Sequence, residues 1–170
     1  MKLNIMIKTA LTVGLLAASL SANAASGALK VSKEVTVDAN PVTVWKLVGN
    51  FDGLDVWHPV VVKSRLLKGH NNRPGAERLL TLANGGTIEE KLLTHSNKSE
   101  SYTYEILKSP LPVTHYKSKI KVSKTKDGKS IVSWSSTFDA KKGVSKDDAI
   151  KAITGVYEAG LNQVQKDFAQ

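Results

Sequence analysis

The 170-residue chain contains no cysteine, and that absence removes several classes of protein at once. It excludes a disulfide scaffold, thiol redox chemistry and every thiolate metal site. It also excludes a lipoprotein anchor, which needs a cysteine just after the leader. Glycine/serine linkers, internal repeats and low-complexity segments are missing too, so nothing divides the chain. Acidic residues are in the minority, 15 against 24 Lys and Arg, for a net charge of +9. Long apolar runs are equally scarce. The candidate from Thr9 to Leu20 is shorter than the ~20 residues that span a bilayer, and it ends in polar Ser21 and Asn23.

That short run is the centre of a secretory leader. Lys2 and Lys8 supply the positive region before it, and Ala22-Asn23-Ala24 supplies the small-x-small site read by signal peptidase. Cleavage after Ala24 takes 24 of the 170 residues and leaves 146. That is the usual size of one domain, large enough to bury a full core without a covalent staple. Lys2 and Lys8 leave with the leader, so 22 basic residues face 15 acidic ones and the net charge falls to +7. Such a surface attracts acidic proteins or anionic membranes at long range.

In the mature chain, period-2 patterning predicts a strand over 28–38, with Leu29, Val31, Val35 and Val37 on one face. Asn40-Pro41 then sets an N-cap and an N1 proline for a short helix that turns Trp45 and Val48 inward. A second short helical turn follows over Asp52-Gly53-Leu54-Asp55. Strands are predicted over 60–67, 76–83, 87–95, 100–107, 114–125 and 129–139, separated by turn residues. Asn84-Gly85-Gly86 and Lys126-Asp127-Gly128 fit three-residue hairpin loops with glycine last. These loops pair Leu82 with Ile88 and Leu80 with Glu90 in one hairpin. In the other they pair Ile120 with Trp134, Val122 with Val132, and Tyr116 with Phe138. Ser145 and Asp148 mark the start of a long amphipathic helix carrying Ile150, Ile153, Tyr157, Leu161, Val164 and Phe168 on its apolar side. Gly155 and Gly160 inside it are either tolerated surface positions or gaps left for something pressed against the helix. Short connections make the later sheet antiparallel. One helix covering a seven-stranded curved sheet leaves a cavity between them.

Several motifs in this order resemble a known superfamily. They are Val44-Trp45-Lys46-Leu47-Val48-Gly49-Asn50-Phe51, Trp57-His58-Pro59, Gly75-Ala76-Glu77-Arg78, Asn84-Gly85-Gly86-Thr87-Ile88-Glu89-Glu90, and Tyr104-Glu105-Ile106 leading to Pro110-Leu111-Pro112-Val113. Together they resemble SRPBCC, the superfamily of START-type lipid-transfer domains, the birch-pollen allergens and polyketide cyclases. Within it the chain is similar to the polyketide cyclase/dehydrase and lipid-transport branch, and to small periplasmic MxaD-like proteins found beside methanol-oxidation genes. The resemblance covers residues 25–170. It implies an α+β helix-grip fold, with a seven-stranded curved antiparallel sheet around a long C-terminal helix and two short helices after the first strand. It further implies a periplasmic location and a hydrophobic ligand, with no catalytic activity assured.

Even-numbered positions of the middle strands face the helix. They bring Leu80, Leu82, Ile88, Tyr102, Tyr104, Tyr116, Trp134 and Phe138 together with polar Arg78, Glu90, Ser118 and Ser136, and the helix adds Tyr157. Apolar walls carrying a few polar groups are the make-up of a small-molecule pocket. Arg78 and Glu90 are diagonal neighbours in the predicted register. An inward charge must be paired, so they form either the anchor for a ligand's polar head or a structural ion pair. Trp57 and His58 close the short helical region at the cavity rim. His58 is either a proton-transfer group or a packed histidine. No nucleophile motif accompanies it, and the spacings of His70, His95 and His115 suit no metal. No cofactor is implied. Pro110 and Pro112 stiffen a connector that is either a cavity-entrance loop or a plain link. Lys117, Lys119 and Lys121 alternate on an outer strand face, a solvated surface or a docking site. Nucleic acid is excluded as a partner, because the chain is exported and no binding motif interleaves the charge.

Three functions fit these residues. The first is a carrier holding an apolar small molecule or lipid, with Trp57, His58, Arg78, Glu90, Tyr102, Tyr104, Tyr116, Ser118, Trp134, Phe138 and Tyr157 around it. The second is an accessory protein docking through its basic surface on an acidic periplasmic oxidoreductase of a methanol-oxidation-type system, or on an anionic membrane. The third, a cyclase or dehydratase, would require ionisable groups to converge in the pocket.

Overall fold

From Leu29 to Val37 apolar side chains alternate with polar ones, and in the computed structural model this stretch is the first strand, β1 (Leu29–Val37). The structure describes residues 27–169; the expected secretory leader and its expected cleavage site lie outside the described residues. The chain then enters α1 (Pro41–Val48) as its capping residues dictate. The Asn40 side chain accepts from the Thr43 N–H at 3.0 Å, and Pro41 occupies the first turn, where no N–H is needed. Val44, Trp45 and Val48 are buried. The Trp45 indole donates to Asn97 Oδ1 at 2.9 Å, which ties the helix to the far end of the sheet. A single turn, α2 (Leu54–Trp57), follows and buries Leu54 and Trp57.

Six strands come next: β2 (Val61–Lys68), β3 (Glu77–Leu82), β4 (Thr87–Ser96), β5 (Ser101–Lys108), β6 (Val113–Lys124) and β7 (Ser130–Ala140). They match the ranges expected from the sequence to within a residue at each end. All pairings are antiparallel, in the order β1-β7-β6-β5-β4-β3-β2. Bulges interrupt β2, β4, β5 and β6, and each extra residue bends the sheet more sharply. The concave face grips α3 (Lys146–Asp167), which buries Ala149, Ile153, Tyr157, Gly160, Leu161 and Val164. Ser145 caps this helix by accepting from the Asp148 N–H at 3.0 Å. The Ser145 hydroxyl in turn donates to the Asp148 carboxylate at 2.7 Å. The arrangement is the helix grip that the motifs imply.

The β6–β7 hairpin has the expected register, with Ile120 opposite Trp134 and Val122 opposite Val132. Its loop closes through Thr125 and Lys129, and Gly128 adopts the positive φ that the last loop position requires. Farther along, a bulge between Thr114 and Lys117 replaces the ladder step expected between Tyr116 and Phe138, although their rings still meet at 6.1 Å. The β3–β4 hairpin corrects the sequence reading. Leu80 faces Ile88 and Arg78 faces Glu90, a slip of two residues from the expected pairs. The loop is Ala83-Asn84-Gly85, closed by Leu82 N–H to the Gly86 carbonyl at 2.8 Å. Either glycine could supply the positive φ. The Asn84 side chain accepts from the Gly86 N–H at 3.0 Å, which selects Gly85, at φ 83°, as the left-handed residue. A two-residue slip preserves the faces, so the inward set is unchanged while Arg78 and Glu90 become direct rather than diagonal neighbours.

Candidate functional site

Arg78 on β3 and Glu90 on β4 both point to the concave side and are almost completely buried, at 0 and 4 % exposure. Arg78 Nε donates to Glu90 Oε2 at 2.8 Å, and Nη2 lies 2.6 Å from the same oxygen. Nη1 donates to the Phe51 carbonyl, and the guanidinium lies 4.2 Å from the Phe51 ring centroid. Burial pushes the Glu90 carboxyl above its ordinary range, with the Arg78 charge pulling the other way. For Arg78, burial alone would lower the pKa; Glu90 and the tyrosines Tyr102 and Tyr104 outweigh it, and the guanidinium stays charged. The pair is thus a locked buried ion pair with one carboxylate oxygen, Oε1, left uncommitted to Arg78. Phe51 is the partner that sequence reasoning missed: its motif is visible, but a main-chain carbonyl carries no side-chain signature.

His58 occupies a notch in α3. Its Nε2 lies 3.0 Å from the Val156 carbonyl, which can only accept, so Nε2 carries the proton. Nδ1 then accepts the long 3.4 Å bond from the Val60 N–H. Burial lowers the pKa of the ring, the Val156 bond opposes this, and the Arg78 charge lowers it further. The notch exists because of Gly160. A Cβ there would stand 2.7 Å from His58 Cδ2 and 3.0 Å from ring atoms of both Trp57 and Trp134. Gly155 meets nothing within 4 Å and is a surface position. The two readings of the helix glycines therefore divide between them.

Behind the notch four of the inward aromatic residues and Ser118 satisfy one another, while the buried Trp57 Nε1, Tyr102 hydroxyl and Ser136 hydroxyl have no hydrogen-bond partner among the described residues. Trp134 Nε1 donates to Tyr104 and Ser118, both at 3.0 Å. Ser118 meets the Tyr157 hydroxyl at 3.0 Å, and Tyr157 meets Tyr116 at 2.6 Å. Trp134 and Tyr157 stack at 4.5 Å. Burial raises the pKa of Tyr104 and Tyr116 well above 10, and lifts Tyr102 and Tyr157 to about 12, so all four stay neutral. None is a base at neutral pH.

A cavity does lie between sheet and α3, and it is about 60 Å³. Pockets for drug-sized ligands run to ~300–1,000 Å³, so the cavity expected under one helix is present but mostly filled by aromatic rings. Of the expected site residues, His58, Glu90, Tyr104, Tyr116 and Trp134 line it, while Trp57, Arg78, Tyr102, Ser118, Phe138 and Tyr157 form the packed surround. Its apolar walls also include Leu54, Ile88, Ile106, Ile153 and Val156. Ile106 shares the even register of Tyr102 and Tyr104, a signal that could have found it. Leu111 lines the cavity as well, so the Pro110–Pro112 connector borders it. The cavity reaches the surface at Val60, which is 42 % exposed.

The geometry finds parallels among known proteins. Residues 28–169 match the family model described as polyketide cyclase/dehydrase and lipid transport. The protein XoxI from Bacillus cereus is 35 % identical, with a TM-score of 0.76 over 82 % of this chain and 94 % of that one. An uncharacterized protein from Bacillus thuringiensis has the same identity and TM-score over 82 and 98 % of the two chains. A Thermobifida fusca protein aligns at 26 % identity and TM-score 0.72, over 82 and 92 %. No curated protein matches the chain. The match over 28–169 spans the sheet, both short helices and the gripped helix, and with it the chain belongs to the polyketide cyclase/dehydrase and lipid transport family, of SRPBCC type.

Proposed function

We propose that this chain is an exported binding or transfer protein that holds an apolar small molecule between the sheet and α3. The observation that carries the reading is the apolar cavity itself. Its walls come from both short-helix and strand elements as well as α3, and the ionisable residues among its lining besides the tyrosines are Glu90 and His58. A ligand of ordinary size needs more room than the 60 Å³ cavity offers, so some of the side chains around it must move to admit one. Glu90 Oε1 is the group that would receive a donor on the ligand, with Arg78 holding the carboxylate in place. The aromatic network behind it gives a stiff floor. Acid–base catalysis has little support, since the tyrosines are neutral, His58 is locked in two hydrogen bonds, and Glu90 is tied to Arg78. Export to the periplasm rests on the leader, and the family match begins just beyond its Ala24 site. Native mass spectrometry of the protein released from its own periplasm tests both parts. The expected species starts at Ala25 and carries an extra small-molecule mass; a bare chain in every preparation would sink the carrier reading.

A second reading has its own observation. On the outer face Lys119 stands opposite Thr103 and Ser135, and Lys121 opposite Ser101 and Ser133. Neither has an acidic cross-strand neighbour, whereas Lys117 faces Glu105. A flat basic and hydroxyl face of this kind suits an acidic periplasmic protein, including an oxidoreductase of the methanol-oxidation type, better than it suits an apolar partner. Salt-sensitive retention of such a protein by the wild type, lost in Lys119→Glu/Lys121→Glu, is the expected result. Equal retention by the variant would remove this reading.

A further inference from the structure

The sheet is split at one place. The β5–β6 ladder runs from Ser101↔Lys121 to Glu105↔Lys117 and stops there. β5 nevertheless continues to Lys108, held by β4 alone, and β6 already begins at Val113, held by β7 alone. The cause is local. The bulge between Thr114 and Lys117, with His115 at φ 52°, turns the start of β6 away from β5, and the two prolines keep the connector from pairing. His115 is held in this conformation by Asp139, 2.9 Å from its Nδ1. The strands therefore part and leave a groove of about 650 Å³ on the outer side.

Two features of the groove point to a ligand. Ile106 and Tyr116 line both the groove and the internal cavity, so these two side chains are the partition between them. The outer rim is cationic: Lys108, Lys117 and Lys141 border it against the single carboxylate of Glu105. Lys141 is fixed across the gap, its Nζ donating to the Ser109 carbonyl at 2.9 Å. A cationic rim above an apolar wall is complementary to a molecule with a negative head and an apolar tail.

We infer that this split is a lateral doorway to the cavity and receives a single-chain anionic amphiphile, its head on the Lys108–Lys117–Lys141 rim and its tail passing between Ile106 and Tyr116. The inference rests on the binding function proposed above and adds to it the class of ligand and the route of entry. It also answers the small cavity, because most of the ligand's bulk would lie in the groove rather than behind the partition.

The test uses 11-(dansylamino)undecanoic acid, whose dansyl fluorescence rises on burial, and its uncharged methyl ester. Exposed ion pairs are individually weak, so removing two of the three rim charges in Lys108→Gln/Lys117→Gln is expected to weaken binding of the acid about tenfold and leave the ester unchanged. High salt should act on the wild type in the same way. In stopped flow, Ile106→Trp is expected to slow association of the acid at least fivefold, and Ala83→Trp, placed on the hairpin tip beside Val60, is expected to leave it unaltered. If the acid binds the double lysine variant as tightly as the wild type, or if Ala83→Trp rather than Ile106→Trp slows its entry, the doorway is wrong while the carrier function stands. If neither acid nor ester binds the wild type, the carrier function itself falls. The lysine variant lies wholly on the surface, so its result holds even if Ile106→Trp fails to fold.

Discussion

Gly160→Ala adds one methyl group at a place where the structure has left none. In an open helix the change is favourable, since alanine exceeds glycine in helix propensity by ~1 kcal/mol. Gly155, five residues earlier and clear of any neighbour within 4 Å, should show that gain in full. At Gly160 the new Cβ falls 2.7 Å from His58 Cδ2 and 3.0 Å from Trp57 and Trp134 ring atoms. Those distances are well inside carbon–carbon contact, and the neighbours are rings wedged in the core rather than flexible side-chain tips. Overpacking of this kind costs ~1–3 kcal/mol. The propensity gain offsets part of it, so the net effect is a loss of up to about 2 kcal/mol, and the two glycine variants should differ by ~1–3 kcal/mol. For a domain of this size each kcal/mol moves Tm by about 3–5 °C. Urea unfolding followed by tryptophan fluorescence reads both variants on one scale, and near-UV circular dichroism should show the disturbed indoles in Gly160→Ala alone. If Gly160→Ala is as stabilising as Gly155→Ala, the ring-filled notch does not exist as described.

Arg78→Met strands a buried carboxylate and should destabilise the fold by ~3–5 kcal/mol, whereas Arg78→Met/Glu90→Leu should recover most of the loss; urea midpoints decide this, and no recovery would mean that Arg78 acts mainly through Phe51. Tyr157→Phe removes the hydroxyl that bridges Tyr116 and Ser118 and should cost ~1–3 kcal/mol in the same assay. His58 gives a pH dependence whose sign follows from its lowered pKa. The unfolded chain binds the proton near the ordinary 6.5 and the folded chain only at lower pH, so this contribution is complete above about 6.5 and is lost as the pH falls towards the folded value. Glu90, raised by burial, contributes the opposite slope. The difference between wild type and His58→Gln therefore isolates the histidine: the wild type should lose stability relative to the variant on going from pH 7 to 5, and parallel curves would refute the buried neutral ring.

Much of the molecule was legible because alternation and helix spacing are local signals. The inward set from Arg78 to Phe138 follows from counting by two, and it survives a two-residue slip of register since such a slip keeps every side chain on its face. That is also why the slip went undetected: Asn84-Gly85-Gly86 offers two glycines for one left-handed position, and the deciding bond, Asn84 to the Gly86 N–H, is invisible in composition. The split between β5 and β6 was out of reach for a related reason. Alternation marks Val113–Lys124 as a strand without saying where its partner lets go, and a histidine tolerates the left-handed conformation that opens the gap without announcing it as a glycine would.

Counting elements predicts a cavity but not its size, which the rings set. One helix on a seven-stranded sheet does leave space, but Trp57, Trp134, Tyr104, Tyr116 and Tyr157 are large, and each polar atom among the last four finds a partner in the others or in Ser118. Without those bonds the hydroxyls would have to face water or a ligand; with them the rings close over the space at little cost. Glu90 Oε1 stands outside this bonding, and so does the groove beyond Ile106 and Tyr116. A ligand that enters from that side leaves the Trp134–Tyr104–Ser118–Tyr157 bonds in place; displacing the partition costs at most the Tyr116–Tyr157 bond, and nothing if Ile106 alone gives way. The packed interior and a binding function are thus compatible, provided that the tail enters through the split and Ile106 and Tyr116 meet it first.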